Sequence, residues 1–393
     1  MYLTREEEKI LDGEYGEAKE KMFRILVTIG DIYGADRMIE ISSTQISGVS
    51  YKSIGDFGLE FLEDLADKGA KVSVPSYLNP AGIDTKMWRE LGFPEDFAEK
   101  QMRIINAFKR MGVYATLTCT PYLIGNFPRF GEHIAWAESS AVSFANSVIG
   151  ARTNRESGIS ALASAICGVT PNYGLHIKEN RKPDVVVEVK VNLKDGSDFG
   201  ILGYALGKII KNKIPFIKGI RSVNIDQLKA LGAAMAATGS IALYHVEKIT
   251  PEADVFDVNG LERIKLEEKD IREIRESFHG EEIDAVMIGC PHASINEIRK
   301  ISEIIRNKKL KKPLWIFTSR FIKELSYDLG YGKIIEKAGG KIISDTCMVV
   351  SPIESMGFKV IGVNSGKAAN YLPTLCGCRV IFGSIRELVE MIT

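Results

Sequence analysis

Apolar residues recur at helical spacing in several stretches of this chain, with short β-branched runs between them. Leu3 and Thr4 precede an acidic turn and Gly13 follows Leu11 and Asp12, which predicts a short first helix. A second periodic stretch, residues 19–33, also reads as a helix. The chain then alternates, with helices predicted at 57–66 and 98–111 and strands at 71–74 and 113–117. The run 184–191 is β-branched enough for a strand, and Gly200, Gly203 and Gly207 follow on a helix with a small-residue face suited to close packing. Residues 285–288, 314–317, 341–344, 360–363 and 379–382 are short apolar strands with helical patterns between most of them. Strands separated by helices argue for an α/β fold with doubly wound, mainly parallel sheets. Residues 246–265 carry turn formers and weak periodicity, so the chain divides into an N-terminal α/β region, 1–247, and a C-terminal doubly wound domain, 248–393.

Composition narrows the partners. The 393 residues are 45% apolar and carry 51 basic and 51 acidic side chains, for a net charge of zero. A chain of this length builds its own core without staples. A neutral chain with no block of like charge offers no field for nucleic acid or an anionic membrane. The amino terminus is charged from Arg5 onward, unlike a signal peptide, and no apolar run reaches membrane-spanning length. A cytoplasmic protein acting on a small molecule is expected.

In parallel sheets ligands bind beyond the carboxyl ends of strands. Three cysteines fall there: Cys119 in LTCTPY, Cys290 in GCPHAS and Cys347 in DTCMVVSP. One alone reads as a small buried hydrophobe. Three together form a plausible soft ligand set for an iron–sulfur cluster or for zinc, the latter with His133 or His292 as a fourth ligand, although no local CxxC spacing is present. Cys167 reads as core, and Cys376 and Cys378 form a C-x-C pair beside a strand. In VIGVNSGKAANYLP, Lys367 stands at a helix start, either solvated or holding an anion. The spacing is not that of a Walker A loop, and GxGxxG is absent. The loops QISGVSYKS, with Gly48, Val49 and Ser50, and SYLNPAGID, with Asn79, Pro80 and Gly82, offer turn chemistry or backbone donors for an anion. Glu132, His133, Glu138, Ser139, Asn146, Asn154 and Arg155 interrupt a low-polarity stretch where buried polar groups need partners.

Taken in order, QISGVS, SYLNPAGID, TCTPY, WAESSAVSFANSVIGARTNRE, GCPHAS, the DTC turn and NSGKAANYLP resemble the aconitase X family over nearly the whole chain. The resemblance implies an aconitase-like multi-domain architecture and a hydro-lyase. Its implied reaction converts (R)-5-phosphomevalonate to trans-anhydromevalonate 5-phosphate in an archaeal mevalonate pathway. It also implies a [4Fe-4S] cluster on the positions that match Cys119, Cys290 and Cys347. Substrate contacts are implied at Gly48, Val49, Ser50, Asn79, Pro80, Glu138, Ser139 and Lys367, with Glu138 and Ser139 lining the reacting centre. The base is implied to be an activated serine on a small swivelling-domain subunit. A related family activity, dehydration of a hydroxyproline, usually has that domain fused, and the shorter chain here favours the two-subunit form.

Overall fold

Parallel pairing organises the chain in a computed structural model that describes residues 1–393. Three of the four sheets are wholly parallel. The five-stranded sheet runs Lys341–Ser344, Leu314–Thr318, Ala285–Ile288, Val360–Val363, Arg379–Phe382. Its strands read as unbroken apolar runs because helices cover both faces, and all four residues of Ala285–Ile288 are buried. In chain order the sheet is third, second, first, fourth, fifth. The order therefore reverses between Ala285–Ile288 and Val360–Val363, a crevice where such sheets bind ligands. Cys290 follows the first of these two strands, and Lys367 follows the second.

A four-stranded parallel sheet runs His245–Val246, Pro215–Lys218, Val185–Lys190, Glu262–Glu267. It draws strands from both sides of position 247/248: Glu262–Glu267 pairs in register with Val185–Lys190 along the full length of both strands. The segment between 247 and 261 is thus a crossover within one sheet, not a linker between bodies. A three-stranded parallel sheet, Ser76–Leu78, Thr44–Ile46, Ala135–Trp136, and an antiparallel pair, Met38–Glu40 with Val169–Pro171, belong to the first part of the chain.

Two early strands differ from expectation. Residues 71–74 form no strand because their amides are taken by separate partners, Val72 by the Met111 carbonyl and Ser73 by that of Ala165. Residues 113–117 make a single bridge, Tyr77 to Tyr114, before Leu117 at φ 48° breaks the extended run. The expected small-residue face is realised on the helix Gly196–Ile210. A Cβ on Gly203 would lie 2.4 Å from the Leu231 carbonyl oxygen of the neighbouring helix Ile225–Gly239. A Cβ on Gly366 would lie 2.3 Å from the Gly200 carbonyl oxygen. The start of the helix Gly366–Leu375 is therefore pressed onto Gly196–Ile210, which fixes where Lys367 emerges. No helix is long and apolar enough to cross a membrane.

Candidate active site

Lys367 begins beyond the crevice of the five-stranded sheet, one residue into a helix capped by Ser365. It is not solvated. Only 7% of it is exposed, and its Nζ is paired with Glu138 Oε1 and lies 3.2 Å from Ser140 Oγ. Glu138, equally buried, caps the helix Ser139–Phe144. Its Oε2 accepts from the Ala141 amide at 2.8 Å and from Ser140 Oγ at 2.5 Å, and Ser139 Oγ donates to Oε1 at 3.3 Å. Burial pushes the Glu138 carboxyl up, but the Lys367 charge and these hydrogen bonds outweigh it and hold the group below the usual carboxylate range. Burial likewise disfavours the Lys367 ammonium, and Glu138 and the nearby thiols reverse the sign, raising it above its ordinary value.

The three predicted cysteines are buried and lie within electrostatic reach of this pair. Burial pushes the Cys119 thiol up to about 12, with Glu138, Lys367 and Cys347 as the next influences. Cys290 is raised well above its ordinary value by burial and senses Lys367, Cys347, Cys119 and Glu138. Cys347 is raised by burial, moderated by the amides of Val349 and Val350 and by Lys367. Each thiol is therefore protonated unless a metal centre supplies positive charge. No three His, Cys, Asp or Glu side chains gather about one point as a single metal ion requires. A cluster asks for a different arrangement, one thiolate on each of several irons, and three buried soft donors beside N–H groups fit it. The zinc arrangement with histidine is not formed. Both His292 ring nitrogens are engaged, Nδ1 at 2.9 Å from Thr118 Oγ1 and Nε2 at 2.9 Å from the Thr346 carbonyl, while His133 Nδ1 meets His176 Nδ1 at 3.0 Å. Burial pushes the His292 ring down to about 4, so it stays neutral.

The two early loops close on the same region from the first part of the chain. Ser50 caps the helix Tyr51–Asp67 and donates to the Val350 carbonyl at 2.7 Å, three residues beyond Cys347. Asn79 and the buried Pro80 lead into Ala81, whose amide donates to the Asp345 carbonyl at 2.8 Å. Gln101, with no exposed surface, ties the loops together: its Nε2 donates to the Val49 carbonyl at 2.9 Å and its Oε1 accepts from the amides of Tyr51 and Gly82. Gly48, at φ 72°, lines an outward apolar cavity of about 490 Å³ with Ile54, Phe57 and Phe61.

Three further residues join these parts: Gln45 and Thr118, not singled out in the sequence, and His292, expected there only as an alternative zinc ligand. Gln45 accepts from the Glu138 amide at 2.9 Å and donates to Asn79 Oδ1 at 3.0 Å and to the Thr118 carbonyl at 3.5 Å. Thr118 and His292 then connect the cysteine turns. Gln45 opens the QISGVS motif, and a buried polar residue inside a strand was the available signal. The remaining polar residues of the low-polarity stretch lie elsewhere. Asn146 accepts from Arg181 through its side-chain and backbone oxygens, Asn154 Nδ2 donates to the Tyr173 carbonyl and Arg155 is exposed. Cys376 accepts from Lys52 Nζ at 3.4 Å, and Cys167 ends a core helix.

Known proteins match this chain over its whole length. Models of the aconitase X first, second and third domains match residues 1–179, 183–276 and 283–393. The chain is 57% identical to the phosphomevalonate dehydratase large subunit of Methanocaldococcus jannaschii, covering 99% of this chain and 100% of that one. It is 35% identical to the cis-3-hydroxy-L-proline dehydratase of Pseudomonas aeruginosa, over 98% of this chain and 68% of that one. The crystal structure of Thermococcus kodakaraensis aconitase X in its holo-form matches with a TM-score of 0.95 at 51% identity, covering 100% of both chains. The chain belongs to the aconitase X family.

Proposed function

We propose that this chain is the cluster-bearing large subunit of a dehydratase converting (R)-5-phosphomevalonate to trans-anhydromevalonate 5-phosphate with a small swivelling-domain subunit. The observation that carries the chemistry is the buried Lys367–Glu138 pair within electrostatic reach of all three thiols. The substrate assignment draws on relatives 48–57% identical over almost their whole length and named for that dehydratase. The relatives named for hydroxyproline dehydration are 34–35% identical, and this chain spans 68% of their length.

Cys119, Cys290 and Cys347 would hold a [4Fe-4S] cluster. When bound by three thiolates, such a cluster keeps one iron open as a Lewis acid for the leaving hydroxyl. The residues of the chain supply the rest. Lys367 has three N–H donors and two protein acceptors, so one donor remains for a substrate carboxylate or phosphate oxygen. Glu138 offsets the ammonium charge, and the remaining N–H gives a charge-assisted hydrogen bond. Ser139 Oγ, weakly engaged at 3.3 Å, can turn from Glu138 to the substrate. Ser50 and the turn after Asn79 and Pro80 approach the Cys347 loop through Val350 and Asp345, whereas Gly48 lines the outward apolar cavity.

Dehydration also needs a base for the proton on the carbon beside the carboxylate. Glu138 is held ionised by Lys367 and is correspondingly weak as a base. The family resemblance assigns proton abstraction to a serine of the small subunit, and a weakly basic Glu138 accords with that division. The test is an anaerobic dehydration assay on (R)-5-phosphomevalonate with and without that subunit. Product only from the combination is expected. Turnover by the large chain alone, or turnover of cis-3-hydroxy-L-proline in place of phosphomevalonate, would overturn the reading.

A further inference from the structure

His292 is fully buried and lies two residues beyond Cys290. Its backbone amide donates to Cys119 Sγ at 3.2 Å. Its ring reaches Thr118, immediately before Cys119, and Thr346, immediately before Cys347. One residue thus touches all three cysteine turns, which come from three distant parts of the chain. The pattern fixes the ring's proton. A carbonyl oxygen only accepts, so Nε2 carries the hydrogen toward Thr346, and Nδ1 accepts from the Thr118 hydroxyl. Thr118 Oγ1 is in turn free to accept from the Thr120 amide at 3.2 Å. The His292 carbonyl is anchored by Lys229 Nζ at 3.1 Å, and Lys229 is itself paired with Asp226 and Glu297. Beyond this bond the Thr346 side chain contributes little anchorage, since its hydroxyl has no hydrogen-bond partner.

We infer that His292 is a positioning residue that sets the relative placement of the three thiol turns for the cluster. The inference rests on the reading that Cys119, Cys290 and Cys347 hold that cluster. Turns on separate loops move independently unless something spans them, and a donor–acceptor ring bonded to two of them and rooted in the third removes that freedom. Groups that orient metal ligands through hydrogen bonds act in this way, and their loss weakens metal binding without removing a ligand. Thr118 is the ring's direct partner and transmits the same constraint.

The test uses the full chain reconstituted anaerobically with iron and sulfide. Iron per chain, the rate at which a chelator bleaches the visible absorbance, and the melting temperature of the cluster-free chain are measured. His292→Leu, which keeps neither bond, is expected to bleach about tenfold to a hundredfold faster than the unsubstituted chain. His292→Gln, with one donor and one acceptor, is expected to recover most of that loss. Thr118→Val, nearly isosteric, should bleach faster while its cluster-free melting stays close to that of the unsubstituted chain. Clusters in His292→Leu and Thr118→Val as long-lived as in the unsubstituted chain overturn the inference. Faster bleaching only in proportion to lost melting temperature, with no recovery in His292→Gln, also overturns it. Iron uptake lost in Cys119→Ser but normal in the unsubstituted chain upholds the cysteine reading separately. An unsubstituted chain that takes up no iron overturns that reading and the inference with it.

Discussion

Two of the buried ion pairs in this chain look alike by composition and differ in saturation. Arg181 and Glu252 are 0% and 7% exposed at their side chains. All five guanidinium donors find acceptors, in both Glu252 oxygens, the side-chain and backbone oxygens of Asn146, and the Leu175 carbonyl. Lys367 and Glu138 are as deeply buried at 9% and 7%, but the ammonium uses only two of its three donors within the protein. A saturated pair closes a fold, whereas an unsaturated one retains capacity to bind. The distinction lies in donor counting, because charge and burial are the same in both.

The largest effect expected is on the saturated pair. Arg181→Leu leaves Glu252 buried without its partner and should cost about 3–5 kcal/mol of stability in chemical denaturation, with turnover per folded molecule little changed. Lys367→Met also leaves a buried carboxylate without its ion partner and should cost stability too, lessened by the hydrogen bonds Glu138 keeps from Ser140 and Ala141, but here turnover falls as well. The value of kcat/KM is expected to fall by the equivalent of about 2–5 kcal/mol, measured in steady-state dehydration. Equal losses of stability and turnover in both variants would break the comparison.

Acid should find the saturated side first. Burial, then the charges of His133, Arg181 and Arg152, push the His176 ring from 6.5 down to about 3. An unfolded ring takes its proton near 6.5 while the folded one does not, so stability falls as pH drops through that window. It levels only below about 3. The slope for this group is up to about 1.4 kcal/mol per pH unit, and His176→Asn should remove its share in denaturation series across the window. The smallest effect expected is from Ser50→Ala. It removes a helix cap and the bond to the Val350 carbonyl and should cost about 0.5–2 kcal/mol by thermal melting.

The same contrast explains what could be read in the sequence. Cys119, Cys290 and Cys347 were legible because strand patterns are local and each cysteine follows a strand or an expected one. Lys367 was legible as a lysine at a helix start, but its burial was not, since its partner Glu138 lies 229 positions away. Asn146 read as a candidate for the site for the same reason that it serves Arg181: a polar group in an apolar run needs a partner, and the run does not name it. Gln45 and Thr118 escaped, and His292 was read only as a zinc ligand, because their hydrogen bonds exist only once separate loops meet. Residues 71–74 and 113–117 have strand-like residues but lost their ladders to other partners and to the turn at Leu117. The division at 247/248 rested on weak periodicity, and long-range strand pairing runs across it.

The central claim is that the three thiols within electrostatic reach of the unsaturated Lys367–Glu138 pair hold an iron–sulfur cluster. Iron and sulfide content per chain after anaerobic purification tests it most directly, for the unsubstituted chain, for Cys119→Ser, Cys290→Ser and Cys347→Ser, and for Cys376→Ser as the control. The account predicts a coloured, iron-bearing protein that loses its cluster in each of the first three variants and keeps it in Cys376→Ser. Stoichiometric zinc in a colourless protein, or iron retained in all four variants, would contradict it.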